Sequence, residues 1–179
     1  LADAGFLTPM RPDRAWKMIG AARAEGLSIA TGFATAAQRY PDRPGLIDEL
    51  GTLSWRELDE RSHALAAALQ QHGFGLGSRL ALSGAFEPTL ILLALAAKAA
   101  GGHPLPVSRE LSGEALRSVL AELRPSHIYV QGREGMLRHL AALGGAEDEI
   151  LLLSSASVER QSGSVRVLPL TSLYAGGPA

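Results

Sequence analysis

The chain has 179 residues, 46% of them hydrophobic and 20% charged, and its 17 Lys and Arg against 18 Asp and Glu give a net charge of -1. That length can bury one substantial core, the composition excludes a disordered chain, and the charge balance offers no field to hold a nucleic-acid backbone. Cysteine is absent, which excludes disulfides, thiolate metal sites and cysteine nucleophiles and suits a cytoplasmic location.

The first expected element is a helix from Pro12 to Gly26, with proline near its start and glycine at its stop. It carries Arg14, Lys17 and Arg23 among Trp16, Met18 and Ile19, with Met10 and Arg11 just ahead of it, and at 100° per residue the basic and apolar side chains do not separate into two faces. Packing on its own domain is the better reading, with weak contact at the inner face of a membrane as the alternative. A second helix is expected over Gly32 to Tyr40, ended by Pro41. Gly45 to Asp48 and Thr52 to Ser54 then flank Glu49-Leu50-Gly51 as a hairpin. Ser54 stands three residues before Glu57, a capping-box spacing that starts a helix at Trp55. That helix runs to about Gly73, with Leu58, Leu65, Ala66, Ala68 and Leu69 as its buried side.

Beyond Gly77 strands and helices alternate. Strands are expected over Arg79–Ser83, His103–Pro106, His127–Val130 and Ile150–Leu153, and helices over Glu87–Ala100, Gly113–Leu123 and Glu134–Leu143. The pattern predicts an α/β fold with a mostly parallel sheet flanked by helices. The helix over Glu87–Ala100 is apolar nearly all round, which predicts cover on most sides, and it is too short to cross a bilayer. The polar stretch Ser154–Ser164 reads as a loop, followed by a short strand over Val165–Leu168.

Chemistry-bearing motifs are few. Gly73-Phe74-Gly75-Leu76-Gly77 follows a helix and precedes a strand, the reverse of a dinucleotide loop, so it reads as a helix stop and a turn. His63, His72, His103, His127 and His139 lack the spacing of zinc ligands. Ser83-Gly84-Ala85 follows a strand but is no nucleophile elbow, and Glu147-Asp148-Glu149 reads as a solvated acidic loop. The loops at the strand carboxyl ends, Ser83–Phe86, Val107–Glu110 and Gln131–Arg133, supply no catalytic constellation.

From Tyr40 to Val130 the sequence resembles the opening of the AMP-forming acyl-CoA synthetases, a superfamily that also holds luciferases and peptide-synthetase adenylation domains. Pro41-Asp42-Arg43-Pro44, Gly51-Thr52, Trp55 and Glu57-Leu58 follow the family's order and spacing, as do Lys98-Ala99-Ala100-Gly101 and Pro104-Leu105-Pro106, with Leu111 and Glu114–Leu116 opening the next helix. The long lead from Phe6 to Leu27 and the wording of Leu46–Leu58 look most like bacterial fatty acyl-CoA ligases. The resemblance implies a parent enzyme that converts a fatty acid and Mg-ATP into an acyl-adenylate and then transfers the acyl group to coenzyme A. It also implies that the family's phosphate loop and late catalytic lysine would lie beyond Ala179, so no catalytic, cofactor-binding or metal-ligating residue is carried onto this chain. Residues 1–27 are then an N-terminal helical extension and 28–179 an incomplete α/β subdomain, inactive alone, with none of these ligands bound. Ser78, Ala85 and Ser108 depart from the family's usual Asp and two Asn, which bears on substrate class and on the parent's activity. In isolation the fragment is expected to expose an apolar face or open strand edge and to self-associate. The alternative is a short degenerate relative acting as an interaction or membrane-docking module.

Overall fold

The computed structural model describes residues 29–49, 51–144, 149–157 and 160–174. The helix expected over Pro12 to Gly26 lies outside them. The chain forms two compact units, divided between Glu60 and Arg61.

In the first unit α1 (Ile29–Arg39) begins three residues earlier than expected and is followed by β1 (Pro44–Asp48) and β2 (Gly51–Ser54), an antiparallel pair. Gly51 closes the turn at φ 145, and its amide donates to Asp48 Oδ1 at 2.9 Å. The capping box forms as its spacing predicts. Ser54 N–H donates to Glu57 Oε2 at 2.8 Å, Glu57 N–H donates to Ser54 Oγ at 3.2 Å, and α2 (Trp55–Gln71) starts there. Trp55 meets Phe33 edge to face at 5.1 Å. Gly45 is small because it must be: a Cβ there would lie 2.8 Å from both Leu58 Cδ1 and the Trp55 ring.

The second unit holds a six-stranded sheet. Its strands are β3 (Arg79–Ser83), β4 (His103–Pro106), β5 (His127–Val130), β6 (Ile150–Ser154), β7 (Arg160–Ser162) and β8 (Val165–Pro169), in the order β4-β3-β5-β6-β8-β7. All neighbours are parallel except β7, which runs antiparallel to β8. The crossovers are α3 (Pro88–Ala99), α4 (Gly113–Leu123) and α5 (Gly132–Ala142). Ala81, Ile128 and Leu152 lie side by side across β3, β5 and β6 and pack with Leu116 and Leu120 of α4 and Met136 of α5. Right-handed crossovers place α3, whose connection runs the opposite way, on the other face.

Two expectations change. Ser154–Ser164 is not all loop, because Arg160–Ser162 pairs with Val165–Val167 around the two-residue turn Gly163-Ser164, with Gly163 at φ 60. A two-residue turn opening on a positive-φ glycine is a hairpin signal, and the polarity of the stretch masked it. Among the described residues, α3 is fully covered on one side only: Leu92, Leu93, Ala96 and Ala97 are buried, while Leu90, Ile91, Ala94 and Leu95 are half-buried.

Candidate functional site

The connection out of β3 leads to β4 at one edge, whereas the connection out of β5 leads to β6 in the other direction. The loops leaving β3 and β5 therefore part over the boundary between these strands, the place where open parallel sheets take their ligands. A polar network occupies it. Gln131, just past β5, accepts the Ala85 N–H at 2.7 Å through Oε1 and donates from Nε2 to Glu87 Oε2 at 2.9 Å. The Tyr129 hydroxyl donates to Glu87 Oε1 at 3.2 Å. Ser155, just past β6, accepts the Gly132 N–H at 2.7 Å and gives its own N–H to Val130 O at 3.2 Å.

Tyr129 is fully buried, and desolvation first, then the neighbouring Glu87, holds its phenol well above the usual tyrosine range. It is a hydrogen-bond donor at neutral pH and not a base. Three strand ends are tied together by neutral donors and one carboxyl group. Phe86, 87% exposed, is held between the anchored residues Ala85 and Glu87. What this arrangement does chemically is fix loop positions. The Tyr129 hydroxyl that meets the Glu87 carboxylate is buried, with its phenol held well above its usual range, which suits positioning rather than nucleophilic attack.

Ser83 ends β3 and the chain bends at Gly84, so Ser83-Gly84-Ala85 is a strand end running into a loop, and the Gln131 N–H donates to Ser83 O at 3.0 Å. Ser78 Oγ accepts the Gly75 N–H at 3.0 Å, within a helix-to-strand turn where Gly73 (φ 85) and Gly77 (φ 77) adopt left-handed backbone. Ser108 Oγ accepts the Glu110 N–H at 3.3 Å in the loop after β4. None of the three positions that depart from the family pattern joins the others. Glu149 is exposed, and Glu147 and Asp148 lie outside the described residues.

At the amino end of the sheet a cavity of about 360 Å³ is lined by His72, Ser126, His127, Glu149 and Arg166, among others. His127 Nε2 lies 3.1 Å from the His72 carbonyl, which can only accept, so Nε2 carries the proton and Nδ1 accepts from Ser126 Oγ at 3.0 Å. Phe74 packs edge to face on this imidazole at 5.1 Å. Desolvation lowers the His127 pKa from 6.5, against the opposing effect of the His72 carbonyl. His139 is buried likewise, its Nδ1 donating to Gly135 O at 2.9 Å and its Nε2 without a partner among the described residues. No group of three His, Cys, Asp or Glu could hold a metal ion among the described residues, and no described helix is long and apolar enough to cross a membrane.

Phosphate binding in a parallel sheet depends on free amides at the helix N-termini facing the carboxyl edge. Here each of those three termini carries an acidic side chain: Glu87 at the cap of α3, Glu114 in the first turn of α4 and Glu134 in that of α5. The Ala85 and Gly132 amides are already consumed. These helix N-termini and loop amides therefore do not fit the phosphates of ATP.

A family model described as AMP-binding enzyme matches residues 33–169, most of the chain. The chain belongs to the AMP-binding enzyme family. Within it, the chain is 38% identical over 90 residues to surfactin synthase subunit 3 of Bacillus subtilis, an overlap of 50% of this chain and 7% of that protein. A benzoate CoA ligase from Burkholderia xenovorans superposes with a TM-score of 0.68 at 21% identity, over 86% of this chain and 29% of that one. Klebsiella oxytoca NpsA, solved with 3-hydroxyanthranilyl-AMSN, superposes at 0.60 and 23% identity, over 84% and 26% of the two chains. At those identities the likeness establishes the fold: the chain has the α/β architecture of these two structures, with a mostly parallel sheet flanked by helices. It spans under a third of the length of each of these relatives.

Glu87, Tyr129 and Gln131 were not legible as a group in the sequence. Their partners are 42 to 46 residues apart, and the available signal was slight: a glutamine directly after one strand and a glutamate directly before a proline-started helix.

Proposed function

We propose that this chain is the N-terminal scaffold of an ATP-dependent ligase that activates a carboxylic acid as an acyl-adenylate and passes the acyl group to coenzyme A, with a fatty acid as substrate. In this reading residues 28–179 are part of the large domain, residues 1–27 extend it, and the groups that grip ATP, magnesium and coenzyme A come from further sequence. The observation that carries it is the family match over residues 33–169, which takes in the whole parallel sheet and the loops at its carboxyl edge. The resemblance around Leu46–Leu58 to fatty acyl-CoA ligases supports the choice of acid. The lack of fit to nucleotide phosphates supports a scaffold rather than a catalytic role for these residues.

The similarity to surfactin synthase subunit 3 favours a second reading, in which the activated acid goes to a different thiol. Pyrophosphate exchange by the full polypeptide carrying this chain, across fatty, aryl and amino acids with and without coenzyme A, separates the two. Exchange with fatty acids and release of a coenzyme A thioester is the expected result. Exchange confined to amino acids, with no thioester released, would replace the first reading by the second. The 179 residues alone are expected to show no micromolar ATP binding in calorimetry.

A further inference from the structure

Among the described residues, β4 forms one edge of the six-stranded sheet and pairs only with β3. Along a strand the backbone groups of successive residues point alternately to its two sides. His103 N–H donates to Ser78 O at 2.8 Å and Val107 N–H to Leu82 O at 2.9 Å, so residues 103, 105 and 107 address β3. The outward positions are 104 and 106. Both are proline.

The outer side of β4 thus presents two carbonyl acceptors and no N–H donor, and ring carbons stand where the hydrogens would be. A strand approaching in either direction must bond to residues 104 and 106. It would find every donor missing, leave its own carbonyls unmet, and meet the pyrrolidine rings. None of the three inward positions, His103, Leu105 and Val107, is proline, where the same residue would break the β3–β4 ladder. At the opposite edge, β7 (Arg160–Ser162) contains no proline.

We propose that Pro104 and Pro106 seal the β4 edge against strand addition, so that a second copy of this chain, or a strand of another protein, cannot extend the sheet there. Among the described residues, the edge without such a block is β7. Any self-association of the isolated chain then runs through another surface than β4.

Restoring the donors tests this. Size-exclusion chromatography with light scattering would compare the wild-type chain with the Pro104→Thr/Pro106→Thr variant over a range of concentrations, and amide exchange would follow the two N–H groups introduced. The weight-average mass of the variant should rise toward twice that of the wild type at equal concentration, with both new amides protected in the associated sample and exchanging freely on dilution. An unchanged mass in a variant that keeps its circular dichroism would overturn the proposal, as would association that leaves those amides unprotected. Should the double substitution unfold the chain, the single Pro106→Thr variant at the exposed position gives the same two readouts with one donor restored, and the same outcomes decide.

Discussion

The two ends of the parallel sheet are built from opposite materials. At the amino end, chain segments close on one another through contact: Gly102 lies against the Phe74 ring and 2.8 Å, measured from where a Cβ would be, from Ser78 O, and His127 sits beneath Phe74 with both ring nitrogens engaged. At the carboxyl end the strand termini are joined through the side chains of Glu87, Tyr129 and Gln131. Contact leaves little freedom and tolerates no added atoms. A hydrogen-bonded tie sets the position of loops that must still leave room above the sheet, which suits the end where such folds bind ligands.

The largest break in that comparison should come at the amino end. Gly102→Ala places a methyl group into the Phe74 ring and against a backbone carbonyl that cannot yield, and is expected to cost about 3 kcal/mol in urea unfolding. At the carboxyl end Gln131→Ala strands the half-buried Ala85 N–H and removes a donor from Glu87, for about 2 kcal/mol. Here the sharper measurement is hydrogen exchange, which should accelerate at Ala85 while the interior of β3 stays protected. Exchange rising equally along β3 would mean that the network holds the strand and not the loop.

Acid should separate the ends again. His127 and His139 have folded-state pKa values below the 6.5 of the free imidazole because burial disfavours their charged forms. The unfolded chain therefore binds more protons below about 6.5, and the stability the two residues contribute is complete above that pH and is lost as pH falls toward their folded values. Urea midpoints measured from pH 7.5 to 5 should fall with acidification, and His127→Gln and His139→Gln should each flatten the slope. Tyr129, titrating above its usual range, adds nothing to the slope in that window. The smallest effect lies in the other unit, where Ser54→Ala removes the α2 cap and should cost about 1 kcal/mol without altering exchange at Ala85.

How much of this was legible depended on range along the chain. The Ser54–Glu57 box spans three residues and formed as its spacing requires, and β3, β4, α4 and β5 have the bounds that periodicity indicates. β7 was hidden because its polar residues carry no apolar alternation, and only the register to β8 makes it a strand. The candidate site was invisible as a group. Glu87 reads as a helix start, Tyr129 as strand core and Gln131 as a loop residue, and each description is locally correct.

Local chemistry determined which segments become helix and strand, where α2 begins, and that the strands would be parallel, because these follow from hydrogen bonds and side-chain patterns within a few residues. The tertiary structure alone decided the order β4-β3-β5-β6-β8-β7, and with it which loops meet and which strand is left at the edge. The physical reason is that strand order depends on pairings between segments tens of residues apart. Until those form, Glu87 has no Tyr129 to accept from, and Pro104 and Pro106 have no outward side to face.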